Sequence, residues 1–410
     1  MRQIGGNMQI GNMQTKNIIY LDNAATTRVR REAVLAMEPY FSQYYGNPSS
    51  SYEFGMISDN VMETGRNVLS EIIHCNPDEI YYTSGGTESD NWAITGSAFA
   101  NYEKGNHIIT SKIEHPAVKN ACEYLKSFGF DISYIDVDNK GMIRLDQLEQ
   151  EIRKKTTLIS VMTANNEIGT IQPIEEIGRI AQKHHILFHT DAVQAFCHIP
   201  IDVRKAGIDM LSVSSHKFGG PKGVGFLYIK KGTEILPFMN GGHQEKNMRA
   251  GTGNVPGVAG MTEAAGYASQ NLGNLMRYEI MLRNYMIRRI FQEIPFCRLN
   301  GHESKRLPGN INISFEYVDG GALLGLLDLR GICVSTGSAC SAKTSTPSEV
   351  LKAIGLSDEM AHSSIRISLS ALNTREEIDY VIQSLKEDVQ ELRQKSSKFQ
   401  EKMEMRRKMH

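Results

Sequence analysis

Cysteine is scarce in this chain, six in 410 residues, and no two stand in a Cys-x-x-Cys pair. That argues against a disulfide scaffold and against a structural zinc site. A charge excess is also missing, since 45 Lys+Arg balance 46 Asp+Glu. A dedicated nucleic-acid or anionic-membrane binder would carry a basic footprint, which is absent here. No apolar run approaches the ~18 residues that span a bilayer. Residues 1–17 are rich in Gly, Asn and Gln, lack the apolar core of a secretory signal, and are expected to form a flexible extension. No long-period repeat is present. These absences leave a globular, enzyme-sized protein of a reducing compartment, expected in the cytoplasm. Its length suits one large α/β domain plus a smaller one, and 40% hydrophobic residues are enough for a large core.

Short apolar, β-branched runs begin at Ile18 and alternate with helical patterns. Strands are predicted at 79–84, 107–111, 132–137, 158–164, 186–191, 210–215 and 223–229. Amphipathic helices are predicted around 87–100, 116–128, 145–154 and 173–184. Strands separated by helices imply crossovers, hence a mostly parallel sheet covered on both faces. The pattern changes after Pro256. A long helix to about Ile290 is predicted, interrupted near Asn271–Gly273, followed by strands at 311–315 and 364–370 and a helix from Thr374. The predicted organisation is a large domain over 27–260 and a small α+β domain from 18–26 plus 261–392. A charged tail over 393–410 is expected to continue the last helix and fray.

The segment SVSSHKFGGPK (212–222) carries the most chemistry. Lys217 ends a strand beside a Gly/Pro loop. An isolated lysine there reads as surface, but a desolvated amine condenses with an aldehyde cofactor. Such a site needs a carboxylate for a pyridine nitrogen and a cradle for a phosphate. Asp191, in HTDAVQ (189–194), offers the carboxylate, with Gln194 in reach of the ring oxygen; a helix cap is the plain alternative for Asp191. Metal ligation by His184, His185, His189 and Asp191 is a weaker reading, because these residues split between a helix end and a strand. TSGGTES (83–89) follows a strand and opens a helix, so its free N–H groups suit an anion. Ser214 and His216 add donors from the lysine strand.

YLDNAATT (20–27), GNPSS (46–50), TSGGTES (83–89), EHPAV (114–118), NNEIG (165–169), HTDAVQ (189–194), SSHK (214–217), RAGT (249–252), GSACSA (337–342) and SIRISL (364–369) occur in order. From about Ile18 to Leu392 the chain thereby resembles the cysteine desulfurases, pyridoxal-phosphate enzymes of the aspartate-aminotransferase-like fold (fold type I). The longer loop after GSAC resembles their group I, which serves iron–sulfur assembly and thiolation. The resemblance implies a Schiff base on Lys217, which also shuttles the α-proton. It implies that Asp191 pairs with the pyridinium, Gln194 with the phenolic oxygen, and that His115 stacks on the ring. Gly86, Thr87, Ser214 and His216 would hold the phosphate, completed by Thr252 in the neighbouring subunit of a homodimer. Asn166 and Arg366 would grip L-cysteine, Arg366 taking its carboxylate as a bidentate fork. An arginine in an apolar strand pattern independently favours an anionic partner.

Cys340 decides the reaction that the resemblance implies. Its thiolate would take sulfur from the substrate, yielding L-alanine and a persulfide destined for an acceptor or iron–sulfur scaffold protein. Cys75, Cys122, Cys197, Cys297 and Cys333 read as inert. The nearest rivals are a selenocysteine lyase, or another lyase or aminotransferase on this fold, and a non-catalytic interaction subunit. Tyr52, His243, Lys246, Asn247, Ala250, Gly321 and Ala371 depart from the usual family pattern. None is a residue to which the resemblance assigns chemistry.

Overall fold

The structure is a computed structural model describing residues 18–336 and 347–409. The expectations placed on residues 1–17 and on Cys340 lie outside the described residues. Among the described residues twelve strands run in chain order: β1 Ile19–Tyr20, β2 Ile80–Thr83, β3 His107–Ser111, β4 Asp131–Ile135, β5 Thr156–Ser160 and β6 Leu187–Asp191. They continue with β7 Met210–Ser214, β8 Gly225–Ile229, β9 Cys297–Leu299, β10 Asn310–Phe315, β11 Ile332–Cys333 and β12 Ser364–Ser368.

The central sheet has seven strands in the order β2-β8-β7-β6-β5-β3-β4. β7, β6, β5, β3 and β4 pair in parallel, while β8 lies antiparallel between β7 and β2. The fold is the mostly parallel α/β architecture that the alternation of runs predicts. β3, β5, β7 and β8 are buried along their whole length, as expected of strands with helices on both faces. One apolar cluster includes Leu69, Ile109, Phe188 and Met261. A second, including Trp92, Val118, Leu125 and Leu227, gathers residues of other helices and the opposite strand positions.

A further core forms around the antiparallel sheet β12-β10-β9. The helix Val255–Glu293 runs through 39 residues and contributes to both regions, Met261 to the first and Met286 to the second. The predicted interruption near Asn271–Gly273 does not occur. Asn271 turns its amide onto the Tyr267 carbonyl at 2.9 Å, and a side chain at Gly273 would meet nothing within 4 Å. The ~1 kcal/mol cost of an exposed helical glycine is outweighed by burial of Ala264, Ala265, Ala268, Leu282 and Met286. At the other end the chain turns at Lys395 and forms a separate helix, Ser397–Met409, rather than fraying. Phe399 packs its ring against Phe296 and Tyr317. No helix among the described residues is long and apolar enough to cross a membrane.

Candidate active site

Parallel strands deliver their C-terminal ends to one edge of a sheet, and ligands of open α/β sheets bind in the crevice there. Asp191 ends β6, Ser214 ends β7, and the turn Ser215–Lys217 follows at once. Gly86 and Thr87 open the helical stretch after β2, and His115 precedes the helix Pro116–Lys126 after β3. These side chains meet in a cavity of about 310 Å³. Of the residues singled out in the sequence, Lys217, His115, Gly86, Thr87, Asn166, Asp191, Gln194, Ser214, His216 and Arg366 line it. Thr252 is exposed and not on the cavity wall.

The lysine is held from below by the turn after β1. Its Nζ donates to the carbonyls of Ala24 at 2.6 Å and Ala25 at 2.9 Å. Gln194 Nε2 donates to the same Ala24 carbonyl at 2.9 Å. His216 Nδ1 lies 3.1 Å from Thr26 Oγ1, and burial, with the charges of Lys217 and Lys222, pushes the His216 imidazole down to about 4. It is therefore neutral near pH 7.

Asp191 is 6% exposed. Burial raises its proton affinity, against the pull of His115, the Val193 N–H and Lys217. That N–H reaches Asp191 Oδ1 at 2.8 Å within a turn; no helix follows Asp191 before β7, so the helix-cap alternative is not met. His115 Nδ1 accepts the Ala117 N–H at 3.1 Å, with Pro116 at the first helical position. The neutral ring then carries its proton on Nε2. Burial pushes the His115 imidazole below its usual range, partly countered by Asp191. His189, one of the weaker metal candidates, spends both ring nitrogens on Ser160 at 2.8 Å and Ser212 at 2.9 Å.

Arg366, in the centre of β12, is 2% exposed. Nη2 donates to Asp22 Oδ1 at 2.8 Å and Nη1 to the Asn166 carbonyl at 3.2 Å. Among the described residues its buried Nε has no hydrogen-bond partner. A buried donor left unpaired costs ~1–3 kcal/mol, so Asp22 and Asn166 leave this guanidinium only partly satisfied among the described residues.

Four contributors escape the sequence reading. Asp22 lies 344 positions from Arg366 in the chain. The Ala24 and Ala25 carbonyls act through the backbone, which no side-chain pattern announces. Asp90 lines the cavity with Oδ1 3.7 Å from His189 Nε2 and without a hydrogen bond among the described residues, and burial plus repulsion from Asp191 raise its proton affinity strongly. Asp22 stands inside the YLDNAATT segment, which is the one available signal for it. Among the residues that depart from the family pattern, His243 and Asn247 pair with each other, Nδ1 to Oδ1 at 2.6 Å.

Residues 19–381 match the aminotransferase class-V family. The chain is 50% identical to cysteine desulfurase IscS of Methanosarcina thermophila over 386 residues, 94% of this chain and 95% of that one. It is 49% identical to cysteine desulfurase IscS of Dictyoglomus turgidum over 378 residues, 92% and 96% of the two chains. A solved NifS-like protein superposes with a TM-score of 0.85 at 37% identity, covering 90% of this chain and 98% of that one. The chain belongs to the class-V aminotransferases and, within them, to the pyridoxal-phosphate-dependent cysteine desulfurases.

The residues present fit that cofactor. Gly86 and Thr87 supply the first N–H groups of their helix, which have no intrahelical acceptor. A Cβ on Gly86 would come within 2.5 Å of Val193 Cγ2 on the cavity wall, so only glycine leaves the approach open. A buried carboxylate whose ionised form is disfavoured, as in Asp191, is stabilised by a cation such as a pyridinium N–H.

Proposed function

We propose that this cavity is where L-cysteine is desulfurated, with Lys217, Asp191 and His115 as its chemical core and Arg366 and Asn166 as its substrate anchors. Arg366, with one buried donor unpartnered, and Lys217 line the same cavity, and that pairing carries the reading. It sets a carboxylate acceptor and an amine in one small enclosure, as an α-amino acid requires. Gly86, Thr87, Ser214 and His216 would hold the phosphate of pyridoxal phosphate. Asp191 would hold the pyridine N–H, and Gln194 the phenolic oxygen. Bound there, the cofactor supplies a protonated ring that draws electrons from the substrate's α-carbon.

The protein supplies positions and protons. Arg366 Nε takes a carboxylate oxygen while Asp22 keeps the guanidinium plane fixed. Lys217 Nζ moves the proton at Cα. His115, capped at Nδ1, presents Nε2–H as the group that gives and retrieves a proton at the ring face. Cys340 thiolate takes the substrate sulfur. The C–S bond breaks, a proton replaces sulfur on the β-carbon, and L-alanine leaves while Cys340 carries a persulfide. No net oxidant enters, since the thiol and cysteine become a persulfide and alanine. The persulfide passes to an acceptor protein, for which an iron–sulfur scaffold is the favoured class. Thr252 completes the phosphate cradle of a second copy in a cytoplasmic homodimer.

Cys340→Ala tests the assignment. It should retain the cofactor's visible absorbance and lose alanine formation from cysteine. Undiminished turnover by that variant refutes the role.

A further inference from the structure

Arg249 and Glu88 lie off the cavity wall, and no step above uses them. Their side chains form a bidentate ion pair, Arg249 Nε to Glu88 Oε1 at 2.7 Å and Nη2 to Oε2 at 3.1 Å. They are 19% and 11% exposed. The same Oε2 accepts the Ser84 N–H at 2.9 Å, so the carboxylate ties down the turn that leads into Gly86 and Thr87. Burial works against ionisation of Glu88, yet hydrogen bonds from Arg249 and Ser84 outweigh it and the carboxyl sits below its usual range.

A full negative charge is therefore fixed one residue beyond Thr87, on the helical turn whose N–H groups suit a phosphate. Left alone, it would repel a phosphate there. Arg249 cancels it, and the protein places Arg249 with care. Its backbone is clamped by Phe238 N–H to the Met248 carbonyl at 2.8 Å and by Ala250 N–H to the Met239 carbonyl at 3.1 Å. The segment before it turns through three successive left-handed residues, Glu245 (φ 44°), Lys246 (φ 57°) and Asn247 (φ 66°). Such a run persists only where surroundings over-determine it. Here Glu245 pairs with Arg66 at 2.8 Å, with the two side chains 8% and 7% exposed, and also accepts the Tyr82 N–H at 2.8 Å.

We infer that Arg249 is a positioning residue for the cofactor phosphate: by neutralising Glu88, it lets a carboxylate shape the Ser84–Thr87 turn without repelling the anion bound there. The inference rests on the reading of Gly86 and Thr87 as phosphate donors and deepens it.

Titration of the cofactor-free chain with pyridoxal phosphate and with pyridoxal, which has the same ring and aldehyde but no phosphate, tests it. Arg249→Met should weaken pyridoxal phosphate binding about tenfold or more and leave pyridoxal binding unchanged. Arg249→Met combined with Glu88→Gln, which keeps an acceptor for Ser84 without charge, should restore most of the loss. Equal losses for both ligands, no loss at all, or no recovery in the double variant would each overturn the inference. Should Arg249→Met not fold, Glu88→Gln alone decides. It leaves Arg249 unopposed and should bind pyridoxal phosphate at least as tightly as the unaltered chain, so a tenfold loss overturns the inference. An unaltered chain that takes up neither ligand is a different result, and it defeats the cofactor reading itself.

Discussion

Replacing Arg366 with lysine keeps the charge and removes the fork, so it isolates what the planar guanidinium does. In the structure that group makes two contacts and has a third donor waiting: Nη2 on Asp22, Nη1 on the Asn166 carbonyl, and Nε buried without a partner. An ammonium on a flexible stem cannot serve Asp22 and a substrate carboxylate in one plane. At least one charge-assisted hydrogen bond is lost, which is about 1.5–3 kcal/mol. At ~1.36 kcal/mol per factor of ten, kcat/KM for L-cysteine should fall roughly ten- to 150-fold. Arg366→Leu leaves Asp22 and the incoming carboxylate both without a cation, at ~2–5 kcal/mol, a fall of roughly thirty- to several-thousand-fold. The assay is alanine release from L-cysteine, run beside binding of cysteamine, which has the amine and thiol but no carboxylate. Cysteamine affinity, followed through the cofactor's visible spectrum, should be nearly the same in Arg366→Lys and the unaltered chain. Parallel losses for both compounds would show that Arg366 holds the site together rather than the carboxylate, and would refute the reasoning.

Lys217→Ala should abolish the visible absorbance of covalently held cofactor, and an unchanged spectrum would contradict its role. Burial pushes Glu279 up to about 8, well above its ordinary ~4.3. The stability it contributes by holding a proton is full below about pH 4.3 and is lost as pH rises toward 8, at up to ~1.4 kcal/mol per pH unit. Glu279→Gln should thus gain on the unaltered chain in denaturant midpoint between pH 5 and pH 8, and a pH-independent difference would count against it. Glu245→Ala strands the buried Arg66 guanidinium and should cost about 3–5 kcal/mol in urea unfolding. A loss under about 1 kcal/mol would mean that Glu63, also paired to Arg66 at 3.0 Å, compensates alone.

Much of the frame is legible because the physics is local. Runs such as His107–Ser111 and Met210–Ser214 are short, apolar or β-branched and bounded by polar turns, and each becomes a buried strand of the central sheet. The two-residue strands β1 and β11, which pair with each other, are too short for any period to register. β9 has three residues, also too few. The break expected at Asn271–Gly273 fails for a different reason: propensity is a weak prior, and packing along a 39-residue helix overrides it. In the site, residues at strand ends followed by glycine-rich turns are readable one by one. Pairings are not. Asp22 with Arg366 and Glu88 with Arg249 join points 344 and 161 residues apart, and only the folded topology states them.

The turn Asp22–Thr27 shows why those pairings matter for function. The turn and Leu21 before it are fastened to β12: Ser368 N–H donates to Leu21 O at 2.7 Å, the Asn23 side-chain Nδ2 to Ser368 O at 2.8 Å, and Ala24 N–H to Ser368 Oγ at 2.8 Å. Two residues earlier on the same strand stands Arg366, gripped by Asp22. On its other side the turn accepts Lys217 and Gln194 through Ala24 and steadies His216 through Thr26. A displacement of β12 therefore moves Arg366, the proposed carboxylate anchor, and the lysine's acceptors together. The distance between the amine and the anchor is set by one short, multiply bonded piece of backbone, and an α-amino acid, with its amine and carboxylate on one carbon, demands that this distance be fixed.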